Sequence, residues 1–113
     1  MDVIREQVLD ALDELADERQ QRQLWFSTGA GGADVSSLVE CRCRLFDDSN
    51  LGMALDRDQV VFDEPIDREL RSLRAALRRI DDARPPDEIV DDPALKDVRT
   101  RAADVLRSLR ELT

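Results

Sequence analysis

The chain has 113 residues, 26 of them acidic and 17 basic, which gives a net charge of −9, and it contains no histidine. Its length suits one domain with a single core. An apolar content of 42% is too high for a disordered acidic tail, and the negative excess repels phosphate backbones and anionic lipid headgroups. Nucleic acid and membrane surfaces are therefore set aside as partners, and a basic protein surface is favoured.

The N-terminal stretch, Met1 to Glu6, has no basic segment and no long apolar run, so neither a signal peptide nor a membrane span is expected. A first helix is expected over about residues 3–22, because Ile4, Val8, Ala11, Leu12 and Leu15 recur at three and four. Asp2 is its expected N-cap. Leu24, Trp25 and Phe26 follow, and the glycine-rich run from Ser27 to Gly32 breaks the helix.

Ser37 and Glu40 form a capping box that opens a second helix, expected to run to about Asp47 and to bury Leu38, Leu45 and some of Val39, Cys41, Cys43 and Phe46. A turn-rich stretch follows, then one possible helical turn at Met53–Leu55. Gln59–Phe62 is the only strand-like run; with no partner strand it is expected to be an extended connector lying on the core. The third helix starts at Pro65, with Glu64 at its positive end, carries Ile66, Leu70, Leu73, Leu77 and Ile80, and is ended by Arg84-Pro85-Pro86. Ile89 and Val90 pack one short turn. Asp92 caps the fourth helix and Pro93 opens it; Leu95, Val98, Ala102, Val105, Leu109 and Leu112 form its stripe.

Each stripe must be buried against another helix. The expected fold is all-α, a small four-helix bundle-like single domain over residues 1–113 with an irregular connector at about residues 48–64.

The candidate motifs are weak. Gly29-Ala30-Gly31-Gly32-Ala33-Asp34 lacks the Lys and Ser/Thr of a phosphate loop and the strand that should precede it. Asp47 to Asp58 has the length of a calcium loop and Gly52 at its sixth position, but leucines 51 and 55 replace two oxygen ligands. A capped turn, in which Asp48, Ser49 and Asn50 bond backbone amides, is the stronger reading. Cys41 and Cys43 are two apart, too close for a good disulfide and without further ligands for zinc, so reduced thiols and a cytoplasmic setting are expected. Arg42 and Arg44 nearby would lower the pKa of an exposed thiol.

Asp13-Glu14 and Asp17-Glu18 resemble half of the acidic signature of all-α nucleotide pyrophosphohydrolases; the second half is missing. A magnesium-dependent hydrolase is thus the alternative reading, and a homo-oligomer paired through a heptad stripe is another. Arg71, Arg74 and Arg78 form a basic stripe, with Asp67 and Asp82 at intrahelical pairing distance in sequence. Those arginines have a second option, which is to face the acids of the first helix.

Without histidine, acid–base catalysis would need strongly shifted carboxylates or the single lysine, Lys96. The sequence therefore points away from an enzyme and from any cofactor. It points to a protein-binding module for a basic protein partner, of inhibitor, immunity or antitoxin type by analogy of size and charge, with a homodimer possible. The candidate binding residues are Glu6, Asp10, Asp13 and Asp17 on the first helix, Asp47 and Asp48 in the turn, and Trp25 and Phe26 as anchors. Trp25 has a second reading, as the side chain that closes one end of the core.

Overall fold

A computed structural model describes residues 2–32, 34–57 and 59–112 and shows seven α-helices, with no strand among those residues. Met1, Ala33 and Asp58 lie outside the described residues, and with them parts of the N-terminal, glycine-loop and calcium-loop readings. The helices are α1 (Arg5–Ala16), α2 (Glu18–Trp25), α3 (Leu38–Cys43), α4 (Leu51–Leu55), α5 (Glu64–Arg78), α6 (Pro86–Val90) and α7 (Pro93–Glu111). A π turn, Arg44–Asp48, joins α3 towards α4. No helix of the described residues is long and apolar enough to cross a membrane.

The first apolar stripe does not form one continuous helix. It breaks at Asp17, whose backbone is extended (φ −120°, ψ 104°). The cause is local competition for amides: the Asp17 carboxylate accepts the N–H groups of Arg19 at 2.9 Å and Gln20 at 3.3 Å, which starts a new helix there. The carbonyls left open at the end of α1 are satisfied by Gln21. Its amide donates to Glu14 O at 3.1 Å and Leu15 O at 2.8 Å, and the side chain is fully buried. Its oxygen accepts from Arg99 Nε of α7 at 2.8 Å, and Arg99 also donates to Val90 O at 2.6 Å. At the other end of α1, Arg5 donates to Leu109 O at 3.2 Å. These two contacts show that α1 and α7 run in opposite senses. Asp2 is not the N-cap; Ile4 occupies that position, and its N–H bonds Ser49 O at 2.8 Å.

Ser37 and Asp92 cap their helices as the sequence suggests, while α5 begins one residue before Pro65, at Glu64, and is capped by Asp63. Ser37 Oγ accepts from Glu40 N at 3.0 Å, Asp63 from Ile66 N at 2.7 Å and Asp92 from Ala94 N at 2.8 Å. Helix α5 stops at Arg78, before the prolines, because its last turn tightens: Arg79 N and Ile80 N bond the carbonyls three residues back. Ile80 is still buried, turned inward from the loop.

The buried apolar residues form one cluster. Val8, Ala11, Leu12 and Leu15 of α1 meet Leu70, Leu73 and Leu77 of α5 and Leu95, Val98, Ala102, Val105 and Leu109 of α7 there, all of them fully buried. Ile4 and Leu112, at the outer ends of their stripes, are exposed. Leu51 and Leu55 are the buried face of α4, which explains why oxygen ligands are missing from the calcium-like spacing.

The irregular connector is pinned by a buried acid. Asp67 is 2% exposed and accepts Val61 N at 2.7 Å and Phe62 N at 3.1 Å, one on each oxygen. It therefore makes no intrahelical pair with Arg71, whose Nη2 donates to Leu55 O at 2.8 Å instead. In the turn before α4, only Ser49 bonds a backbone amide, accepting from Leu51 N at 3.2 Å. Asn50 takes a left-handed conformation (φ 68°) and its side chain donates to Asp2 O at 3.0 Å. Asp48 caps nothing among the described residues and is exposed.

Gly52 sits directly against the π turn. A Cβ placed there would lie 2.9 Å from the Phe46 carbonyl oxygen, so any side chain must push backbone away from backbone. Gly52→Ala is expected to lower stability by about 1–3 kcal/mol, the range for overpacking a tight interior contact. Urea denaturation measures this; an unchanged midpoint would contradict the close approach.

Candidate functional site

Glu14 is the least expected side chain of the molecule. It is 4% exposed on α1, and it collects donors from three other parts of the chain. Trp25 Nε1 at the end of α2 reaches one oxygen at 2.8 Å, as does Ser36 Oγ from the loop before α3. Arg44 of the π turn reaches the other at 2.7 Å, and also donates to Ser36 Oγ at 3.2 Å. Burial pushes the Glu14 pKa up, but the hydrogen bonds from Trp25, Arg44 and Ser36 together outweigh it, so its carboxyl is held below the ordinary value of 4.5. Its charge is fully used inside the protein.

This cluster decides between the two readings of Trp25. The indole is 4% exposed and its N–H is committed to Glu14, so Trp25 closes the core and is not a surface anchor. Phe26, the next residue, is 41% exposed, with the Arg22 guanidinium 5.8 Å from its ring centre.

The acids of α1 sort into two kinds. Glu6, Asp10 and Asp13 are exposed; Glu6 and Asp10 have no side-chain partner among the described residues, and Asp13 accepts only from the neutral Gln20 amide at 3.0 Å. Asp17 is half-buried and spent as the cap of α2, so it does not belong to the free edge. Asp47 and Asp48 are exposed on the π turn, close to the start of α1 through the Ile4–Ser49 bond. No group of three or more Cys, Asp or Glu with the geometry to hold a metal ion occurs among the described residues.

The arginines are largely consumed between elements. Arg22 pairs with Asp91 at 2.8 Å, Arg42 with Asp82 at 2.9 Å, Arg44 with Glu14 at 2.7 Å and Arg84 with Asp92 at 2.6 Å. Arg74 pairs with Asp56 at 3.0 Å and lies 5.9 Å from the Phe46 ring centre. The basic stripe of α5 thus faces α4 and the π turn, not the acids of α1. Asp82 reaches across to α3 in place of the expected bond to Arg78.

Beside the π turn lies a groove of about 740 Å³. Phe46, Gly52, Met53 and Ile80 supply its apolar lining, while Asp47, Asp81 and Arg78 contribute charges outside any ion pair. No local sequence pattern marks this groove, because it depends on how α4 folds back on Phe46. Cys43 is half-buried close by. Burial first and the neighbouring Asp47 second push its thiol up, opposite to the expected activation. Arg42 still acts in the lowering direction, but burial and Asp47 outweigh it. Cys41 is fully buried, donates to Ala11 O at 3.3 Å, and is pushed far up by burial.

Because the folded-state pKa of Glu14 is depressed, its contribution to stability is present above 4.5 and is lost as the pH falls below that value. Glu14→Gln is expected to cost about 1–3 kcal/mol at pH 7, since one member of a buried hydrogen-bonded group is replaced. The variant should also lose stability less steeply on acidification than the parent. Urea midpoints from pH 7 downward check both, and identical slopes would contradict the assignment. Comparison with protein-family models, with curated proteins and with solved structures finds no match to this chain.

Proposed function

We propose that this protein is a binding module that presents the outer edge of α1 to a basic protein surface. The observation that carries this reading is an asymmetry of pairing. Arg22, Arg42, Arg44, Arg74 and Arg84 are held by acids of other segments, whereas among the described residues Glu6 and Asp10 have no side-chain partner and Asp13 has only a neutral one. Unpaired carboxylates on a rigid helix attract and orient a cationic surface without costing the fold an internal pair. Asp47 and Asp48 extend the acidic character at the π turn, and the exposed Phe26 ring replaces Trp25 as the candidate apolar anchor.

The supporting frame is read as bundle-like. Helices α1, α5 and α7, with α3 and the π turn as the fourth side, hold the acidic edge on a packed core. A capping role over a basic active site, as an inhibitor, immunity protein or antitoxin would perform, suits this size and charge. The reduced thiols suit a cytoplasmic setting.

The experiment is affinity capture with the parent protein and with Glu6→Lys/Asp10→Lys/Asp13→Lys, followed by mass spectrometry. The parent should retain a basic protein in near-stoichiometric amount, released by added salt, and the triple variant should lose it by roughly tenfold or more, since like charges then face each other. All three positions are exposed, so the variant should keep its helical circular dichroism. Equal capture by a folded triple variant would overturn the proposal.

A further inference from the structure

The connector before α5 and the outer face of that helix enclose a second concavity, of about 460 Å³, lined by Arg57, Arg68 and Arg71. Arg71 is held by its bond to Leu55 O, which fixes the guanidinium without neutralising it. The side chains of Arg57 and Arg68 have no hydrogen bond or ion pair with any described residue. Of the two acids that line the same space, Asp67 is buried with both oxygens committed to Val61 and Phe62 amides, which leaves Glu64 as the exposed carboxylate at the rim.

This arrangement is costly for the free protein. Arg68 and Arg71 are three apart on α5, a spacing at which like charges repel, and Arg68 lies towards the positive end of that helix. Among the described residues only the Leu55 carbonyl acts against the repulsion, and no carboxylate pairs with either guanidinium. A small dianion in the concavity would offset it.

We infer that this concavity binds a phosphoryl dianion carried by a small molecule, either free phosphate or a phosphate monoester. Guanidinium forks match phosphate oxygens with paired, charge-assisted N–H donors. The Gln59 side chain adds a neutral polar group at the rim. Val60, 57% exposed beside it, offers an apolar edge for the organic part of an ester. The site is separate from the acidic edge of α1 and does not depend on the proposed protein partner.

The test is isothermal titration at constant ionic strength with inorganic phosphate and, separately, with phenyl phosphate. One saturable site is expected. Arg57→Ala and Arg68→Ala should each weaken it roughly tenfold or more, the scale of a lost charge-assisted contact, while Tm should not fall, because neither side chain has a partner to lose among the described residues. Arg79→Ala, an exposed arginine at the far end of α5, is the control and should bind as the parent does. Tighter binding of phenyl phosphate assigns the site to an ester; equal affinities assign it to free phosphate. Absence of saturable heat with both probes, or equal weakening in the Arg79 control, would overturn the inference.

Discussion

The Glu14 carboxylate is the interaction on which the rest of the structure depends. A buried charge is tolerated only when donors surround it. Here the donors come from the end of α2, the loop before α3 and the π turn, so satisfying one side chain fixes the positions of three segments relative to α1. The break at Asp17 serves the same geometry. It frees the chain to bring Trp25 back towards Glu14, and Gln21 satisfies the carbonyls that the break exposes. Arg99 then carries this junction on to α6 and α7.

This internal use of charge shapes the surface. Polar pairing across elements takes up many of the guanidinium groups, and in a chain with a large acidic excess the remainder is negative. Unpaired carboxylates lie on the solvent side of α1, opposite the stripe that enters the core, and also on α3, α5 and α6, at Glu40, Glu64, Glu69, Asp87 and Glu88. The exceptions are local: Asp47, Asp81 and Arg78 in the groove beside the π turn, and the arginines around the connector. The heptad stripes of α5 and α7 are buried within the chain's own core, and the exposed surface is made of these polar faces together with exposed apolar residues such as Phe26 and Met53.

The sequence made helix content and core legible because apolar spacing and caps act locally. Ser37, Pro65, Asp92 and the stripes of the last two long helices could be read directly. Asp17 and Gln20 also have capping-box spacing, a readable signal that the continuous apolar run of the first helix concealed. Other features were not local. Asp67 carries nothing in its neighbours that distinguishes a connector clamp from an i,i+4 pair; the choice was made by the position of Val61 and Phe62 amides. Glu14 sits at the flank of its stripe, and nothing near it in sequence sets it apart from its acidic neighbours, because its partner Arg44 lies thirty residues away. The same holds for Cys43, whose environment is set by its burial and by Asp47 on the π turn, not by the arginines beside it in sequence.

The central claim is that Glu14 is a buried carboxylate kept charged by Trp25, Ser36 and Arg44. A carbon-13 NMR titration of the glutamate side-chain carboxyls, with the Trp25 indole N–H followed in parallel, reads this directly. The account predicts a Glu14 midpoint below 4.5, with the Trp25 N–H signal moving at the same midpoint. A midpoint at or above that value, or an indole signal indifferent to it, would contradict it.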